Sequence, residues 1–142
     1  IFVAYASIHG GTKAVAEKFA EILKEKGAVK VSLCDLTRDD QAEAVEDAFR
    51  YPVTVIAACS YDAGLFPPAH SFIHHLQDKG WQKRKVGLIE NGSWAPSAGR
   101  VMKEMLSTLK SVEIVEPMVT IKSRMKESDI PALEALADAL LT

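Results

Sequence analysis

Ile1-Phe2-Val3-Ala4-Tyr5-Ala6-Ser7-Ile8-His9-Gly10-Gly11-Thr12 opens the chain, and its reading decides the fold. Ile1–Ala6 runs without a charged break, as a strand covered on both faces does. The run gives way to a loop of hydroxyls and glycines, Ser7–Thr12. Helical spacing follows within Thr12–Lys26, where Val15, Phe19, Ile22 and Leu23 share one stripe and Gly27 reads as the C-cap. Buried strand, short loop and amphipathic helix together form the first part of a βαβ unit.

The same alternation continues to the end of the chain. Further strands are predicted at Val29–Leu33, Val53–Cys59, Lys85–Ile89 and Glu113–Ile121. Between them Ala42, Val45 and Phe49 mark one helix. Phe72, Ile73 and Leu76 mark the next, opened by Pro67-Pro68 and closed by Gly80. Val101, Met105, Leu106 and Leu109 mark a fourth. Ile130, Leu133, Leu136, Ala137 and Leu140 mark the last, behind Ser128 as N-cap and Pro131 in the first turn. This order implies an α/β fold with a doubly wound, five-stranded parallel sheet and right-handed crossovers. Ligands of such sheets bind beyond the carboxyl ends of the strands, at the switch point. The loops to inspect are therefore Ser7–Thr12, Ser60–Pro68 and Glu90–Gly99.

Composition narrows the partners. The length of 142 residues suits one domain, residues 1–142, without linker or repeat. A net charge of −2 gives no support to nucleic-acid or anionic-membrane binding. No apolar run approaches the roughly 20 residues that span a bilayer. Cys34 and Cys59 end apolar runs, which reads as buried reduced thiols, and no metal-ligand spacing surrounds them. The expectation is a cytoplasmic protein. The chain starts without Met and inside a strand, which reads as a domain excised from a longer chain.

Each loop has a functional and a plain structural reading. In the first, Gly10 and Gly11 let the backbone approach an anion, helix amides and dipole favour negative charge, and Ser7 and Thr12 add hydroxyls. The alternative is a tight turn with Thr12 as N-cap. Neither G-x-x-x-x-G-K-[ST] nor G-x-G-x-x-G is present, which argues against a P-loop NTPase and against a dinucleotide site. In the second loop, Ser60-Tyr61-Asp62-Ala63-Gly64-Leu65-Phe66-Pro67-Pro68, aromatic and aliphatic side chains beside a ligand site suit a flat aromatic partner. The alternative is packing on the loop's own helix. In the third, Glu90-Asn91-Gly92-Ser93-Trp94-Ala95-Pro96, the Trp is either a wall for a planar ring or a surface residue at an interface.

Together the loops resemble those of flavodoxins. The frame Ser7-x-x-Gly10-x-Thr12 is similar to that family's phosphate loop. A closer resemblance is to the FMN-binding, flavodoxin-like domain of flavodiiron proteins (A-type flavoproteins). Tyr5–Thr12 is similar to their first loop, Ser60–Pro68 to their Tyr-x-x-Gly-Leu-Phe-Pro stretch, and Gly92-Ser93-Trp94 to their Gly/Ser-rich loop with a Trp. His9 stands where those proteins often have Trp, and Pro96 interrupts a usual Ser-Gly pair. The resemblance implies strand order 2-1-3-4-5, FMN as cofactor and electron transfer as function. It places the phosphate among Ser7, Ile8, His9, Gly10, Gly11 and Thr12. It places the isoalloxazine between Tyr61 and Trp94, near Ser60, Asp62, Ala63, Gly64 and Leu65, with a carbonyl of Gly64 or of a peptide around it presented to flavin N5. It places Glu90 and Asn91 at the flavin's polar edge and counts Gly92 and Ser93 among the cofactor-binding residues. Family sites neutralise little of the phosphate charge with Lys or Arg, so Lys13 is expected in solvent, whereas an imidazolium at His9 would add binding energy. The implied partners are redox proteins, a rubredoxin-like donor or a diiron domain, with oligomerisation through the parent protein.

The diiron half of such proteins carries a His-x-Glu-x-Asp-His motif that is absent here, and His70, His74 and His75 read as an ordinary helix face. The implied role is the electron-carrying half, feeding a diiron oxygen or nitric oxide reductase site. Other readings stand beside it. A phosphorylation-dependent receiver shares the sheet order but needs an acidic pair after the first strand, where Tyr5-Ala6-Ser7 has none. An NAD(P)H-dependent flavin or quinone reductase needs room for a second substrate, and the connection near Val112–Lys122 is short. A flavin-free interaction domain is the third.

Overall fold

Phe2–Ala6 (β1) is buried at every position, and its side chains divide between two cores. The computed structural model describes residues 1–92 and 96–142. Phe2, Ala4 and Ala6 face one side of the sheet, and Val3 and Tyr5 the other, as the two-residue period of a strand requires. β1 pairs in parallel with Ser32–Asp35 (β2) and Val53–Tyr61 (β3), in the register Phe2↔Ser32 and Phe2↔Thr54. β3 continues the order outward, past Gly64–Leu65 (β4), to Arg84–Asn91 (β5), with Val53↔Lys85 through Cys59↔Asn91 in register.

The fifth sheet position is a broken strand. Val112–Ile114 (β6) pairs with Arg84–Val86 and Val119–Ile121 (β7) with Ile89–Asn91, both parallel to β5. The sequence predicts one strand over Glu113–Ile121. Pro117 has no N–H to give the ladder, and the pairing lapses around it. Counting the broken strand once gives the expected 2-1-3-4-5 order.

Among the described residues five α-helices cover the sheet. Gly11–Glu25 (α1) and Ile130–Leu141 (α5) bury Val15, Phe19, Leu23, Leu133, Leu136 and Leu140 against one face. Gln41–Arg50 (α2), Pro67–Asp78 (α3) and Ala98–Leu106 (α4) bury Ala44, Val45, Phe72, Ile73, Leu76, Met102 and Leu106 against the other. α1 stops in a Schellman motif: Ala28 N–H donates to Leu23 O (3.0 Å) and Gly27 N–H to Lys24 O (3.1 Å), with Gly27 at φ +100°. Among the described residues no helix is long and apolar enough to cross a membrane.

Three local expectations are corrected. The second strand begins at Ser32 rather than Val29, because the pairing with β1 starts there and Val29 is left in solvent. Phe49 is 41% exposed rather than part of the α2 core stripe. The α4 helix ends at Leu106 and its fully buried anchors are Met102 and Leu106, with Val101 and Met105 only partly covered.

Cys34 on β2 is buried, and this burial, with the Asp39 carboxylate next in effect, pushes its thiol up to about 12 from the ordinary 9.0. The folded chain therefore keeps a proton that the unfolded chain releases above pH 9, so stability falls as pH rises from there toward 12. Cys34→Ala removes this titration. The expected result is a shallower loss of thermal midpoint between about pH 9 and pH 11 than in wild type, and equal slopes would refute it.

Candidate functional site

The carboxyl ends of β1, β3 and β5 meet where the strand order reverses, β2 lying on one side of β1 and β3 on the other, and the Ser7–Thr12 loop crosses this point. Gly10 is the N-cap of α1, at φ +87°, a left-handed conformation that any L side chain resists. Thr12 is thus not the cap but a first-turn residue, nearly fully buried. Gly10 N–H donates to Ser7 Oγ at 3.0 Å, which tightens the loop.

The first i→i−4 bond of α1 runs from Ala14 N–H to Gly10 O at 3.0 Å. The amides of Gly11, Thr12 and Lys13 precede it, no side chain caps them, and the first turn has no acidic residue. Gly11 and Thr12 lie at a cleft of about 290 Å³. Ser7, Ile8, His9, Gly11 and Thr12 line it from the first loop, Ser60 from β3, Asn91 from the end of β5 and Gly92 from just beyond it. The structure brings these sequence-predicted residues together, with Gly10 on an adjoining hollow.

Two further lining residues escaped sequence reasoning. Cys59 contributes a thiol beside the Ile8 amide, and burial raises its pKa. Ser123, after β7, closes the far side. Cys59 could have been found as the last residue before the second loop. Ser123 had no local signal, because only the pairing of β7 with β5 brings it here.

The second loop is a hairpin. Tyr61 and Gly64 pair across a two-residue turn in which Asp62 and Ala63 both have positive φ, 48° and 58°. This is the type I′ pattern, seldom adopted by alanine. Asp62, Ala63 and Gly64 stand beside the cleft rather than in its lining, and Leu65 turns into the core. Tyr61 is 47% exposed, its ring 5.8 Å from that of Phe66.

Ser60 and Glu90 hold α4 at the sheet edge. Ser60 Oγ accepts from Ser97 N–H (2.8 Å) and Ala98 N–H (3.1 Å), and Ser97 Oγ donates to Gly64 O (2.8 Å). Buried Glu90 accepts from Gly99 N–H (2.8 Å) and Thr120 Oγ1 (2.6 Å). Its two oxygens thereby join the helix to β7. Gly99 leaves room for Met118 and Glu90: a Cβ there would fall 2.3 Å from Met118 Sδ and 2.9 Å from Glu90 Oε1, so any larger residue requires these side chains to shift. Ser93 and Trp94, the remaining predicted site residues, lie outside the described residues. His70 and His74 are exposed on α3, and no group of His, Cys, Asp or Glu able to hold a metal ion occurs among the described residues.

No protein-family model and no curated protein sequence matches the chain. Solved structures do. The rubredoxin oxygen:oxidoreductase from the anaerobe Desulfovibrio gigas superposes with a TM-score of 0.91 at 16% identity, covering 98% of this chain and 34% of that one. The flavodiiron protein from Giardia intestinalis gives 0.87 at 14% identity, covering 97% of this chain and 34% of that one. A flavodoxin from the domain Archaea gives 0.82 at 17% identity, covering 96% and 92%. At these identities the likeness shows the flavodoxin-like fold. The chain spans about a third of the length of the first-named structures.

Proposed function

We propose that this chain is an FMN-binding electron-transfer domain that, within a longer protein, passes electrons to a diiron site reducing oxygen or nitric oxide. The observation that carries the FMN reading is the uncapped amino end of α1, open to a cleft at the sheet's switch point. The donor set suits a phosphate. It offers the amides of Gly11, Thr12 and Lys13 and the hydroxyls of Ser7 and Thr12, with no carboxylate in the helix's first turn to repel an anion. Hydrogen bonds to a charged group contribute about 1.5–3 kcal/mol each, so three of these donors would contribute about 4.5–9 kcal/mol to holding the phosphate.

FMN supplies one- and two-electron redox chemistry when bound. The protein's part is to hold and shield it. Ser7–Thr12 would bind the phosphate. Tyr61, exposed beside the cleft, and Trp94 would flank the ring. The Asp62-Ala63 turn is fixed by Ser97 Oγ on Gly64 O and by Phe66 N–H on Cys59 O (3.1 Å), so the backbone near the ring is held from below. Ser60 and Glu90 would act one step away, by setting α4 and the start of the Trp94 loop. The electron-donor role to a diiron partner is supported by the length relation to the flavodiiron structures, in which a domain of this fold is one third of the chain.

The test is a titration of the purified chain with FMN. Stoichiometric quenching of flavin fluorescence, a yellow product and no oxidation of NAD(P)H by the chain alone are expected. A chain that leaves FMN fluorescence unchanged overturns the reading. Turnover of NAD(P)H without a partner would instead favour the flavin or quinone reductase.

A further inference from the structure

β7 ends at Ile121 and the next residues are Lys122-Ser123-Arg124-Met125-Lys126, three cations in five positions of a chain with net charge −2. This basic segment is pinned across the start of α1. Asn91, the last residue of β5, donates from Nδ2 to Ser123 O (3.0 Å) and accepts Ser123 N–H at Oδ1 (2.8 Å). Ser123 takes φ +65° between these bonds. From the other side, α1 leaves no spare room: a Cβ on Gly11 would sit 2.5 Å from Ser123 O.

The clamp shapes a second hollow of about 440 Å³ that shares His9, Gly11 and Ser123 with the cleft. Arg124 lines it opposite Gly10 and Ala14. Its side chain is exposed and makes no ion pair or side-chain hydrogen bond among the described residues. The nearby Asp129 carboxylate accepts instead from Lys126 N–H at 2.8 Å. An unspent guanidinium thus stands beside uncapped helix amides, both favouring a dianion.

We propose that Arg124 is a specificity-determining residue of this site, selecting a flavin that ends in phosphate over its dephosphorylated form, and that Asn91 is the residue that positions it. The inference rests on the FMN reading and adds a cation that the family resemblance does not supply. Arg124 reaches the site through tertiary structure alone, 113 residues after Gly11 in the sequence.

The experiment compares FMN and riboflavin affinities of wild type, R124Q, R124K and N91A, at low and high salt, with K79Q as a distant charge control. R124Q is expected to weaken FMN about tenfold at low salt, less at high salt, and to leave riboflavin unchanged. R124K restores most of the loss, N91A lowers the ratio of FMN to riboflavin affinity, and K79Q has no effect. Arg124 is exposed, so R124Q is expected to fold, and its thermal midpoint checks this. Equal loss for both flavins, or no loss, overturns the inference while FMN binding by wild type stands. Wild type that binds neither flavin overturns the FMN reading and this inference with it.

Discussion

Gly11→Ala is expected to weaken FMN binding about a hundredfold and to lower the urea midpoint. The new Cβ would fall 2.5 Å from Ser123 O and 3.2 Å from Asn91 Nδ2. The first of these is backbone, held by both Asn91 hydrogen bonds, so it has no rotamer by which to escape. Relief requires moving the 122–125 segment. Losing two hydrogen bonds costs about 1 kcal/mol each and the overpacking a further 1–3 kcal/mol. The lower end of that sum, about 3 kcal/mol, corresponds to roughly two orders of magnitude in affinity when it falls on the bound conformation. Gly27→Ala is the control. Its φ of +100° strains an alanine, but nothing lies within 4 Å of the added carbon, so it should cost about 1–2 kcal/mol of stability with FMN affinity intact. Flavin titration and urea denaturation of the two variants decide the matter, and a Gly11→Ala chain that binds FMN as wild type does would falsify the packing argument.

Trp81→Ala should be the most damaging core change, at about 3–5 kcal/mol, a large fraction of the roughly 5–15 kcal/mol that keeps a domain folded. Trp81 is the largest fully buried side chain among the described residues. Its Nε1–H donates to Ala48 O at 2.9 Å, tying the α3–β5 connection to α2. It reaches this position because α3 ends in a second Schellman motif: Trp81 N–H donates to Leu76 O (3.0 Å) and Gly80 N–H to Gln77 O (3.2 Å), with Gly80 at φ +69°. The residue after such a glycine commonly folds back onto the helix, and here it is the Trp. Trp81→Phe keeps most of the volume, and Ala48 O retains Arg84 Nε as a donor at 3.4 Å. It should therefore cost about 1–2 kcal/mol. Equal urea midpoints for Trp81→Ala and Trp81→Phe would show that volume is not what Trp81 contributes.

Much of this was legible in the order of residues, and the misses have local causes. Periodicity located all five helices, because an amphipathic stripe such as Val15, Phe19 and Leu23 is a property of the chain itself. Strand limits were less legible, since Val29 looks like strand but has no partner until Ser32 meets Phe2. Pro117 was a visible warning that the last strand would break. Trp81 carried no periodic signal, because its burial follows from a helix end rather than a helix face. Within the site, Ser7–Thr12 was legible as a glycine-rich loop joining a buried strand to a helix. Glu90 read as a ligand-facing acid, yet its carboxylate is engaged by Gly99 and Thr120, contacts that exist only once α4 and β7 are packed.

By itself the sequence determined the alternation of buried strands and amphipathic helices, and with it the parallel sheet and the loops that crown it. Those are properties of neighbours in the chain: side-chain period, glycine at a turn, proline at a helix start. Tertiary structure alone decided what stands across the cleft from the phosphate loop. Cys59, Ser123 and Arg124 arrive there from the ends of other strands, positioned by sheet register and by one asparagine clamp. The physical reason is that register and clamp are long-range pairings, and no local pattern of residues records the partner that a hydrogen bond will find.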